Sequence, residues 1–160
     1  MDEKDFENPE DDSLNNFKEE RISFTPIILY IDYIHLLQDD YFKRNFDDIT
    51  PRDATYLINI FYHQNCSQKD LSNMLFVSEA NVAQIIKKLE GKGLVRRSTD
   101  ETNKSRKIIS LTEKSKIIVL GLIKEMYEWE GDFFKDYPPE DVMKFKKMLY
   151  EYSIKAIKSM

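Results

Sequence analysis

Asn81, Gln84, Lys87 and Lys88 fall within about two helical turns of one another, between Ser78 and Gly91. On a helix that spacing gathers amides and ammonium groups on one side. The opposite side carries Val82, Ile85, Ile86 and Leu89 at helical intervals and faces a core. An Asn or Gln amide donates and accepts together on the edge of adenine, and a Lys reaches guanine or a phosphate. Arg96, Arg97, Lys104, Arg106 and Lys107 follow within twenty residues and add cations. The chemistry implied is contact with a nucleic acid: polar groups for base edges, charges for the backbone.

The elements that would hold these residues can be read from caps and periodicity. Ser67-Gln68-Lys69-Asp70 has the form of a capping box and opens a short helix carrying Leu71, Met74 and Leu75 to Phe76. Ser78 caps a second helix, and Gly91 and Gly93 can end it. Two strands follow, Leu94–Ser98 and Lys107–Leu111, around the polar and charged tip Thr99–Arg106. Before this unit, Thr25 is expected to cap a helix running to about Asn45, with Ile27, Ile31, Ile34, Leu37 and Tyr41 as its apolar stripe. Thr50-Pro51-Arg52-Asp53 opens another helix, which buries Ala54, Leu57, Ile58 and Phe61 and ends near Asn65. Beyond the strands, Thr112 caps a long helix to about Phe134, and Pro139 starts a final one.

A short capped helix, a turn, a second capped helix and a basic-tipped hairpin form a winged helix-turn-helix. In such a unit the second helix enters the major groove while the first braces it against the backbone. The stretch from Val77 to Arg97, VSEANVAQIIKKLEGKGLVRR, with the later SRKIISLTEKS, resembles the recognition helix and wing of the MarR family of regulators. The earlier ITPRDATYLINIF and CSQKDLSNMLFVS resemble that family's second and third helices. The resemblance spans roughly residues 24–158 in element order and is most specific in 67–115. It implies an obligate homodimer with intertwined terminal helices, two winged lobes on successive major grooves of a pseudo-palindromic operator, and often a repressor released by a small phenolic molecule. The chain departs from the family pattern in places. Ala80 and Ala83 replace polar residues, Gln84 stands where Arg is common, and Asn103-Lys104-Ser105 occupy the usual Asp-Arg-Arg of the wing tip.

The expected fold class is mainly α: a winged helix-turn-helix with a small β-hairpin wing, and a helical dimerisation domain from both termini. The expected division is an acidic flexible tail (1–20), the dimerisation domain (21–48 with 112–160) and the DNA-binding domain (49–111). The candidate DNA contacts are Ser67 and Gln68 on the bracing helix, Ser78, Asn81, Gln84, Lys87 and Lys88 on the recognition helix, and Arg97, Lys104 and Arg106 on the wing. Lys104 or Arg106 is the cation expected at the minor groove. The resemblance, with the aromatic supply of Tyr30, Tyr33, Tyr56 and Phe61, points to a small aromatic effector.

The net charge of −5 looks unsuited to a DNA partner. Its distribution answers the objection: residues 1–20 hold nine acids against two bases, while residues 67–107 hold nine bases against five acids. Local charge decides what a surface attracts. No apolar run is long enough to span a bilayer, the N-terminus does not have the form of a signal peptide, and the single Cys66 fits a reducing cytoplasm. No nucleophile–base pair or phosphate-cradling glycine loop is present, so neither catalytic residues nor a cofactor are expected. His63 and Cys66 are too few ligands for zinc, and Cys66 reads as a packing residue rather than an oxidant sensor. The rival to operator binding is a winged-helix adaptor that docks a protein through the same face, a reading that Ala80 and Ala83 favour.

Overall fold

The structure is a computed structural model and describes residues 19–46 and 48–159. The acidic tail expected over 1–20 lies outside these residues except for Glu19 and Glu20, which open a single 3-10 turn ending at Arg21. The chain divides into two units, residues 1–51 and 52–160.

The first unit contains α1, Ile27–Asn45. Thr25 was expected to cap it. Instead Pro26 holds the N-cap position, and the Thr25 hydroxyl donates back to the Arg21 carbonyl. No side-chain hydrogen bond caps α1, and the Thr25 hydroxyl is oriented by the preceding turn instead. Near the other end Phe42 is buried, with its ring 5.5 Å from Phe46.

Helix α2, Pro51–Tyr62, starts at the boundary and runs through the second unit. It stops short of the expected Asn65, which adopts φ 62°, a left-handed conformation that ends helical bonding. Helix α3 spans Gln68–Leu75, and its capping box is complete: Ser67 accepts from the Asp70 N–H while Asp70 accepts from the Ser67 N–H. Phe76 closes α3 at φ 52°, an uncommon conformation for a bulky side chain, and its ring is left exposed. Helix α4, Glu79–Gly91, is capped by Ser78. Gly93 takes φ 68°, and the Leu94 N–H closes onto the Leu89 carbonyl. This closure holds Leu94 at the helix end, so β1 covers Val95–Thr99, one residue later than expected.

Strand β1 pairs antiparallel with β2, Lys107–Leu111, in the register Val95 to Leu111 and Thr99 to Lys107. Helix α3 packs on α4 and β2, and α4 packs on β1. Leu57 and Ile60 of α2, Leu71 of α3, Val82, Ile86 and Leu89 of α4, and Ile109 of β2 are buried. Each fully buried aliphatic side chain contributes roughly 1.5–3 kcal/mol. Thr112 caps α5, Glu113–Phe134, which packs on β2 through its first turns and buries Val119 and Leu122. A bend at Tyr137-Pro138 leads to α6, Pro139–Lys158. Phe134 and Phe145, with ring centroids 5.7 Å apart, tie α5 to α6. The fold is mainly α, a helix-turn-helix followed by a hairpin wing. No helix among the described residues is long and apolar enough to cross a membrane.

Candidate nucleic-acid interface

The surface of α4 resolves into adjacent stripes. Ala80, Gln84, Lys87 and Gly91 recur at spacings of four, three and four, and all are exposed. Next to them lies Asn81, Ile85, Lys88 and Lys92, which turns toward α2. Gln84 and Lys87 are therefore the polar groups on the helix's outward ridge. Ser78 is spent as an N-cap, its hydroxyl accepting from the Asn81 N–H.

Lys88, a candidate phosphate contact, is directed elsewhere. Its Nζ donates to both carboxylate oxygens of Asp53, each at 2.9 Å, and Lys92 Nζ donates to the same carboxylate at 3.0 Å. Asp53 is 0% exposed. The cation that looks free on a helical wheel is an ion-pair partner of a buried acid on α2. Asn81 accepts a hydrogen bond from Arg52 Nη2. Arg52 was not among the sequence candidates, although a cation in the first turn of a helix opposes the dipole and so hints at an external partner.

On the wing, Lys104 stands at the exposed tip, and no ion pair to it is present among the described residues. Arg106 stands at the base. It donates to Asp70 at 2.8 Å, to Asp100 at 3.1 Å and to the Asn65 carbonyl at 3.2 Å, so it links the start of α3, the wing and the turn after α2. Asp70 is held down at a pKa of about 2, first by the Ser67 backbone N–H and then by Arg106 and the Ser67 hydroxyl. Asp100 is lowered as well, chiefly by the Thr102 hydroxyl and N–H. Arg97 pairs with Glu90 of α4 at 3.3 Å. Ser67 serves the capping box, and the side-chain nitrogen of Gln68 is buried without a hydrogen-bond partner among the described residues. The structure thus brings Gln84 and Lys87 to the surface of α4 and Lys104 to the wing tip. Ser67, Ser78, Lys88 and Arg106 are engaged in bonds that hold the unit together.

Cys66 is buried and bridges to Ile109 of β2, and burial pushes its thiol up to about 11. A thiol in that state is a poor nucleophile at neutral pH. In the native protein at pH 8, Cys66 is expected to react with iodoacetamide at least tenfold more slowly than in denaturant. Equal rates in the two states would show it to be accessible. No group of three or more His, Cys, Asp or Glu among the described residues could hold a metal ion.

Known proteins resemble this arrangement. The profile of the MarR family matches residues 49–107, from the start of α2 into β2. A Bacillus cereus protein named as an HTH-type transcriptional regulator is 26% identical over 132 residues, 82% of this chain and 84% of the relative. The solved structure of Streptococcus pneumoniae FabT in complex with DNA aligns with a TM-score of 0.75 at 16% identity, over 89% of this chain and 100% of that one. The S. aureus MepR–DNA complex aligns with a TM-score of 0.68 at 22% identity, over 84% and 99% of the two chains. At such identities the structural likenesses establish the fold, while the profile falls on the helix-turn-helix and wing themselves. Residues 49–107 thus match the MarR family, and over most of its length the chain shares the fold of these solved structures.

Proposed function

We propose that the chain is a DNA-binding transcription regulator, a homodimeric repressor acting in the cytoplasm on a pseudo-palindromic operator. The observation that carries this reading is the outward ridge of α4, with Gln84 and Lys87 exposed, together with the exposed cation Lys104 at the wing tip. MepR and FabT, which share the fold, have been solved with DNA. Gln84 reads a base edge, Lys87 holds a phosphate, and the two recognition helices of a dimer lie about 34 Å apart, one turn of duplex. On a preferred site Gln84→Ala is expected to cost about 1–3 kcal/mol and to blur sequence preference, while Lys87→Ala weakens all sequences alike. Retention of random duplex DNA at low and moderate salt is the first test. If no duplex is retained at either salt, the adaptor reading replaces this one.

The dimerisation domain is assigned to 21–48 with 112–160, and the DNA-binding domain to 49–111. The support is the apolar surface left on the terminal helices. Ile27, Leu36 and Leu37 of α1 are exposed, as are Ile117, Leu120, Tyr127 and Phe133 of α5 and Met143, Met148 and Tyr150 of α6. A monomer rarely leaves so many large apolar groups in water. Sedimentation at micromolar concentration is expected to show a dimer, and a stable monomer would refute the assignment. A small aromatic effector is proposed to act through the Tyr56 region, where the phenolic hydroxyl is buried and unbonded among the described residues. The effector can release DNA only by preferring a conformation that does not fit the operator. A phenolic panel that shifts neither melting temperature nor DNA affinity would remove it.

A further inference from the structure

Arg52 and Asp53 stand side by side in the first turn of α2, and both reach α4. Asp53 takes Lys88 and Lys92, and Arg52 takes Asn81. These three partners are seven and four residues apart, so they share one stripe of α4, directly beside the exposed ridge of Ala80, Gln84 and Lys87. Asn81 is thus at the margin of the surface proposed to meet DNA, half-buried and gripped from behind.

The chemistry of that grip fixes the amide. A guanidinium only donates hydrogen bonds, so Asn81 must turn its oxygen to Arg52 and its NH2 away. An Asn free to rotate matches adenine by accepting from N6 while donating to N7. With its oxygen turned to Arg52, the group that Asn81 holds away from the guanidinium is its NH2, which only donates. Guanine offers two acceptors in the major groove, O6 and N7, whereas adenine offers one acceptor beside a donor.

We propose that Arg52 is a specificity-determining positioning residue, which holds the Asn81 amide with its NH2 turned outward and so makes it select guanine over adenine. The proposal rests on the reading of α4 as the helix that meets DNA. It replaces adenine, the base an unconstrained Asn81 would favour. Arg52 itself is exposed, so its replacement removes no core packing.

The test is binding-site selection from a duplex library with a randomised centre, run in parallel on the full-length wild type, Arg52→Met, Arg52→Lys and Asn81→Ala. The wild type is expected to enrich guanine at one position of each half-site, and Asn81→Ala to lose that preference there. Arg52→Met is expected to move the same position toward adenine and leave the others unchanged. Arg52→Lys, which still offers only donors, keeps guanine. Placing 7-deazaguanine at that position should lower wild-type affinity about tenfold, the loss of one acceptor contact. A uniform loss of affinity in Arg52→Met with an unchanged profile would make Arg52 a phosphate contact and overturn the proposal, as would a profile and affinity identical to wild type. If the wild type itself enriches no sequence and retains no duplex, the DNA-binding reading fails with it. Selection by the wild type with no response to Arg52 overturns the specificity role alone.

Discussion

Replacing Lys88 and Lys92 together by methionine is expected to destabilise the fold by about 3 kcal/mol or more, whereas Asp53→Asn costs about half as much. The asymmetry follows from where the charges sit. The Asp53 side chain is 0% exposed, while those of Lys88 and Lys92 are 43% and 32% exposed. Removing both ammonium groups takes two cationic partners from an anion that water cannot reach. Removing the anion leaves two flexible cations that can swing outward and be solvated. Urea unfolding of the three proteins at pH 7 checks this, and equal losses would show that Asp53 is not the member of the cluster that depends on its partners. DNA binding gives a second readout. Because Lys88 is neutralised by Asp53, Lys88→Ala is expected to change the slope of log affinity against log salt much less than Lys87→Ala, which should reduce it by about 0.9.

The wing separates two cations that the sequence left interchangeable. Lys104→Ala is expected to leave the melting temperature unchanged and to lower DNA affinity, with the salt slope falling by about one phosphate contact. Arg106→Met is expected to lower the melting temperature by several degrees, because it releases Asp70, Asp100 and the Asn65 carbonyl at once. Its effect on DNA is indirect, through a wing no longer tied to α3. Acid provides a further signature. The Asp70 carboxyl sits at about 2, below its ordinary value, so its contribution to stability is complete above about pH 4 and is lost as pH falls toward 2. In Arg106→Met part of that acid-dependent loss should disappear. If Arg106→Met melts like wild type while Lys104→Ala does not, the two roles have been exchanged.

Local signals made much of this chain legible. The capping box at Ser67, the caps at Ser78 and Thr112, and the left-handed Gly93 lie where short-range chemistry puts them. Each depends on residues within a turn or two, which is the range over which spacing carries information. Lys88 reaches Asp53 across 35 residues of sequence, and Arg106 reaches Asp70 and the Asn65 carbonyl across 36 and 41. A charged residue destined for such a pair looks identical in sequence to one left in solvent. Thr25 illustrates the same limit at short range. Its type suits a cap, but a preceding turn competes for its hydroxyl, and nothing in residue type alone says which wins. Phe76 is harder still, since a bulky residue is not the expected occupant of a left-handed helix end.

Cys66 is the chain's one cysteine, and it is buried with a thiol that stays protonated near neutrality. The protein is therefore already a quiet background for spectroscopic labelling. A cysteine introduced at the exposed Glu101 on the wing tip would take a nitroxide or a fluorophore without first deleting a native thiol. In a two-fold assembly each particle would carry one label per wing. The separation between labels, followed by electron–electron dipolar coupling, would serve as a molecular caliper for how far the lobes open when DNA or a small molecule is added.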